Sequence, residues 1–282
     1  MHAKTAYHGV RPPRRITHGE ASQPRLRFLR PTSIMAFHSQ SQLYYHDSMT
    51  VHEIIELLRK NSNLANVEGM ARFGINPKNT LGVSIPVLRR LARTIGKDHQ
   101  VALGLFASGI HEAKILAALV DDPRLVTEAQ MEKWLKQFDS WDVTDQVCTI
   151  LFDKTLFAWR KAKEWTRNEP EYQKRAAYSL MAGLALHDRL AADEDFEALW
   201  PLLLQGAIDG RNYVKKAVNW ALRGIGKRNT RLCKSALQTA KEMMKLDSRS
   251  ARWIASDAIR ELSNQKTEKR IAATEKRPRR QG

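Results

Sequence analysis

The residues best suited to chemistry lie in FDSWDVTDQVCTILF, residues 138–152. A helix capped by Asp139 or Ser140 places Trp141 and Asp145 four residues apart, on one face, with an indole beside a carboxylate. A carboxylate stabilises a developing cation or orients a water, and an indole face attracts a cation by about 0.5–2 kcal/mol. The aliphatic stripe of this helix is Val143, Val147, Ile150 and Leu151, and Trp141 and Asp145 lie about 160–200° from Val143. Periodicity therefore turns both away from the obvious core, and pattern alone favours Trp141 packed under a neighbouring repeat and Asp145 as a solvated carboxylate. In NYVKKAVNWALRGIG, residues 212–226, the stripe is Val214, Val218, Ala221 and Ile225. Trp220 lies about 200° from Val218, beside Lys216 and Tyr213, and pattern alone favours an indole wedged between repeats.

The elements that would position these residues are helices throughout. A dozen or so helical periods follow one another with short connections and no convincing strand, an all-α pattern. Thr50 with Glu53 reads as a capping box, as does Thr127 with Gln130; Ser84 and Asp98 read as caps, and Pro86 falls where a missing amide is harmless. Lys114, Arg175, Lys216 and Arg252 each stand a few residues into a helix, ahead of a run of small and aliphatic residues, at spacings of 61, 41 and 36. Residues 138–152 fill the longest gap about halfway. Such spacing predicts stacked helical hairpins of the HEAT or armadillo kind, an α-solenoid forming a curved array with a basic concave cleft. Helix starts offer free amides and partial positive charge, to which these four cations add full charges suited to a phosphate backbone.

The formal net charge is +17. Residues 1–48 and 266–282 each carry +5, which leaves +7 for residues 49–265. A basic body points to a polyanionic partner, nucleic acid ahead of a membrane surface. Residues 1–48 are expected to be a disordered basic extension, rich in Arg and Pro and poor in acids, either a transit-like segment or the result of an early start, with Met35 and Met49 as alternatives and Met49 preferred. Residues 49–265 are expected to form the folded domain and residues 266–282 a disordered basic tail. Cys148 and Cys233 are too few for a disulfide framework or a zinc site. No apolar run reaches the roughly 18 residues of a membrane span. Glycine-rich nucleotide loops, HExxH, paired-cysteine and GxSxG motifs are missing from the sequence, so triphosphate and zinc chemistry are not expected.

SWDVTD at 140–145 and KKAVNWALRGIGKRN at 215–229, with MARFGI at 70–75 and LGVSIPVLRRL at 81–91, together resemble the AlkD-like DNA alkylation repair family. The resemblance runs from about Thr50 to Asn264. It implies a HEAT-like solenoid that holds duplex DNA and, in its active members, excises N3- and N7-alkylated purines. It further implies that Asp145 is the catalytic aspartate, that Trp141 and Trp220 flank it, and that Arg175 contacts DNA. With Lys216, Lys114 and Arg252 as further phosphate contacts, the expected protein is a monofunctional glycosylase without metal or organic cofactor. It would be a monomer in the cytoplasm, associated with the bacterial nucleoid. Ser140 stands where several family members carry another aromatic. Two other readings stay open: a non-catalytic solenoid recognising damaged or branched DNA, and a protein-binding scaffold.

Overall fold

The computed structural model describes residues 49–275, and every regular element among them is helical. The expected N-terminal extension lies outside the described residues. The helices are α1 (Val51–Lys60), α2 (Leu64–Arg72), α3 (Ile85–Ile95), α4 (His99–Ala107), α5 (His111–Val120), α6 (Glu128–Leu135), α7 (Trp141–Ile150) and α8 (Ala158–Glu164). They continue with α9 (Glu171–His187), α10 (Asp193–Glu197), α11 (Trp200–Ala207), α12 (Asn212–Gly226), α13 (Thr230–Lys245), α14 (Arg249–Leu262) and α15 (Gln265–Glu275).

Local chemistry sets most of the boundaries. Thr50 accepts from the Glu53 amide while the Glu53 carboxylate takes the Thr50 amide at 2.8 Å, a complete capping box. Asp98 caps α4 through the Val101 amide. Thr127 accepts from the Gln130 amide at 3.1 Å, but the box expected there is not closed. The Gln130 side chain instead donates to the buried Asp121 carboxylate at 2.6 Å, a tertiary bond that outcompetes the local one. Ser84 makes no side-chain cap, and Pro86 supplies the start signal for α3.

Helices α5, α7, α9, α12 and α14 pack in sequence to form one layer, with α4, α8, α11 and α13 packed behind it. The layer's helices run parallel. Arg175 meets Tyr213, Asn219 meets Asp257 and Arg223 meets Glu261, each pair 38 residues apart, as expected when one repeat is laid beside the next in constant register. Helix α9 sits mid-layer, and every residue from Arg175 to Ala185 is buried. Its Ala and Gly residues permit that approach on both sides; a Cβ on Gly183 would lie 2.7 Å from the Asp153 carboxylate. Behind the layer, Phe106 stacks on Trp134 at 3.9 Å, and Phe138, Phe152 and Trp165 extend the aromatic packing across adjacent repeats.

The basic tail expected from residue 266 begins instead as α15. Ile271 is buried at 4% exposure, and Glu275 receives both the Thr230 amide and its hydroxyl, at 2.7 and 2.8 Å. One apolar anchor and a carboxylate at the start of α13 hold a helix that composition alone reads as a charged tail.

Candidate functional site

The site lies where the first turns of α7, α9 and α12 stand side by side. Asp145 is the fifth residue of α7 and Arg175 the fifth of α9, so parallel packing brings them level. Arg175 holds Asp145 with both arms of its guanidinium fork, Nε to Oδ1 at 2.9 Å and Nη2 to Oδ2 at 2.7 Å. Ser179, one turn further along α9, donates to Oδ1 at 2.7 Å. The third nitrogen of Arg175, Nη1, donates to the Tyr213 carbonyl in the first turn of α12. Oδ1 thus accepts two hydrogen bonds and Oδ2 one, which leaves Oδ2 with a spare acceptor position.

The expected exposure of Asp145 is corrected by this packing: its side chain is only 14% exposed and that of Arg175 6%. A one-stripe reading of α7 fails because α9 covers the second face. Burial is the strongest influence on Asp145 and pushes its carboxyl above the ordinary 3.8, while Arg175 and Ser179 pull the other way.

Trp141 is half-buried in the first turn of α7, with the Arg175 guanidinium 5.9 Å from its ring centroid. Its indole N–H donates 3.1 Å to the carbonyl of Phe73. The segment after α2 therefore crosses the mouth of the site as a strap. The Tyr213 hydroxyl donates 3.3 Å to the Gly74 carbonyl, and Tyr172 lies 5.7 Å from Tyr213, ring to ring. Gly74 has φ +75°, and a Cβ there would meet the Tyr213 hydroxyl, so both backbone hand and space demand glycine. Glu112, buried in α5, fixes the other end of the strap by accepting from the amides of Leu81, Gly82 and Val83 at 2.9, 2.6 and 3.2 Å. Phe73 itself is 75% exposed beside Trp141.

The remaining expected site residues divide in two. Lys216 and Arg252 are exposed, as phosphate contacts must be, and Arg252 also reaches the Leu246 carbonyl at 3.1 Å and Asp247 at 3.4 Å. Lys114 is buried, its ammonium donating to the Gln137 carbonyl at 2.9 Å and Asp139 at 3.3 Å. It secures the turn into α7 rather than facing solvent. Arg175, expected to touch DNA, is spent on Asp145. Trp220 is half-buried against the core two turns beyond Tyr213, and among the described contacts of Asp145 and Arg175 it takes no part. Ser179, Tyr172 and the strap carry no sequence signal of their own, although Gly74 ahead of Asn76-Pro77 marks a turn.

Among the described residues, Glu128, Glu132 and Glu164 converge closely enough to suggest a metal site. The Lys161 ammonium fills that space, 2.6–2.7 Å from all three carboxylates.

The start of α7 is fixed by a second buried pair. His111 Nε2 lies 2.9 Å from Asp142, which also accepts from Ser140 at 2.6 Å. Burial alone would lower the imidazole's pKa, but Asp142 more than offsets this and raises it above 6.5. Burial likewise opposes ionisation of Asp142, and His111 with Ser140 brings it below 3.8. The imidazolium's contribution to stability is complete below 6.5 and is lost as pH rises through the raised value. The carboxylate's contribution is present above 3.8 and is lost as pH falls through the lowered value. His111→Gln is expected to cost about 1.5–3 kcal/mol near pH 5–6, and to flatten the decline in stability toward pH 8. A melting curve whose pH dependence matches that of the parent would contradict this linkage.

The sequence pattern of the family described as DNA alkylation repair enzyme matches residues 54–262. No curated protein matches the chain. The fold is similar to a solved structure described as representing a new family of proteins related to the HEAT-like repeat DNA glycosylases with affinity for branched DNA structures. That similarity has a TM-score of 0.64 at 18% identity and covers 75% of this chain and 95% of the other. With the matched pattern spanning α1 to α14 and the solenoid in place, the chain belongs to the DNA alkylation repair enzyme family.

Proposed function

We propose that this protein is a monofunctional DNA glycosylase that releases positively charged N3- or N7-alkylated purines from duplex DNA, acting as a cytoplasmic monomer on nucleoid DNA. The observation that carries the reading is a largely buried carboxylate, Asp145, held rigid from one side by Arg175 and Ser179 and bordered by the indole of Trp141. Alkylation gives the purine a positive charge, so the base leaves readily. As the C1′–N bond breaks, its electron pair neutralises the base and the sugar becomes an oxocarbenium-like cation. Oδ2 of Asp145, held without need of reorganisation, stabilises that cation and aligns a water for attack at C1′; the water's proton passes to solvent and an abasic site remains. Trp141 offers a face to the cationic base or sugar. Lys114 is tied to the turn before α7, so its amine is not assigned a role as nucleophile.

The test is detection of free 7-methylguanine or 3-methyladenine released from methylated duplex DNA by the full chain. Release above the spontaneous rate supports the reading, and release at the spontaneous rate sinks it. A non-catalytic reading has its own support: both Asp145 oxygens are already engaged by Arg175, as in a purely structural ion pair, and the similar solved protein is described by its affinity for branched DNA. Salt-sensitive duplex binding without base release would favour that alternative.

A further inference from the structure

Three helices beyond Asp145 along the same layer, α14 leaves an indole open to solvent. Trp253 is 41% exposed, and the Lys215 ammonium stands 4.8 Å from its ring centroid. The pair spans the same 38 residues as Arg175–Tyr213 and Asn219–Asp257, so it belongs to the regular register of the layer and lies at the height of the candidate site. Trp253 is the fifth residue of α14, as Asp145 is of α7. Exposed cations lie close to the pair in sequence, Arg249 and Arg252 on α14 and Lys216 on α12, while the nearby acids are engaged: Asp247 by Arg252 and Asp257 by Asn219 and Arg260.

An indole with a face in solvent and a cation beside it suits a partner with a flat face and a negative charge. A nucleotide offers both, the base to stack and the phosphate to pair. A continuous duplex hides its base faces, so the ring fits an unpaired base where a duplex opens into a single strand. We infer that Trp253 with Lys215 is a stacking contact for an unpaired nucleotide, through which this protein recognises a duplex–single-strand junction. The inference extends the DNA-binding side of the function proposed above but needs no base excision.

The experiment measures binding of the full chain to three fluorescent probes: a paired duplex, the same duplex with an unpaired flap, and the free single strand. The expected result is a preference for the flap that Trp253→Ala reduces by about tenfold or more, to the level of the duplex, while duplex affinity holds. Trp253→Phe keeps most of the preference because a ring remains, and Lys215→Ala weakens it. Equal losses on flap and duplex, or no loss on either, would overturn the inference, as would capture of a protein partner through Trp253 with DNA binding unaltered. Base release is read separately, so a protein that excises without a Trp253-dependent flap preference refutes this inference alone. One with the preference but no excision refutes the glycosylase reading alone.

Discussion

Arg175→Ala lowers the stability of the fold by about 3–5 kcal/mol, because it strands a buried carboxylate without its counter-ion. At about 2–4 °C per kcal/mol for a chain of this size, the melting temperature falls by about 6–20 °C. The loss comes from three bonds at once: two to Asp145 and one to the Tyr213 carbonyl, which links α7, α9 and α12 through a single guanidinium. Arg175→Lys keeps the charge but not the fork, so its cost falls in between. Removing both partners together, as Asp145→Asn with Arg175→Met, costs less than the sum of the single changes, because neither leaves a lone charge in the interior. Additive losses in that cycle would show that the pair is not coupled.

Asp145→Asn is expected to slow base release by about 10²–10³-fold, the scale of removing one preorganised electrostatic group from a transition state. The amide is nearly isosteric and still accepts a hydrogen bond from Ser179 or Arg175, so the layer keeps its register, at a cost in stability because the buried Arg175 loses its counter-ion. Duplex affinity is expected to hold or to tighten, since an anion facing a polyanion has been removed. The carboxyl's raised pKa adds a second signature. Below that value Asp145 is protonated and loses its charge interaction with the sugar cation, so the parent's release rate falls on the acid side above the ordinary 3.8. In the Asp145→Asn protein that acid limb disappears.

Much of the architecture was legible in the sequence because it rests on local chemistry. The Thr50–Glu53 box, the Asp98 cap and the small-residue runs after Lys114, Arg175, Lys216 and Arg252 each record a helix start, and their spacing records the repeat. Asp145 was legible as a carboxylate beside an indole, but its burial was not. A hydrophobic stripe describes one packed face, whereas α7 lies inside a layer and packs on two. The same limit explains Lys114: a cation at a helix start reads as solvent-facing until the turn from Gln137 to Asp139 is placed beside it. The strap was least visible. Its bonds from Trp141 to Phe73 and from Tyr213 to Gly74 span 68 and 139 residues and involve backbone carbonyls, which have no side-chain signature. In α15, a lone buried Ile271 and a carboxylate contact at Thr230 outweigh a composition typical of unstructured chain.

The central claim, that Asp145 performs the chemistry, is tested most directly by the single-turnover rate of free-base release from a 7-methylguanine duplex. The parent and Asp145→Asn proteins are compared with the DNA fully bound in both cases. The account predicts release by the parent above the spontaneous rate and a variant slower by about 10²-fold or more at matched DNA occupancy. Equal rates from both proteins would contradict it and leave Asp145 as a structural partner of Arg175.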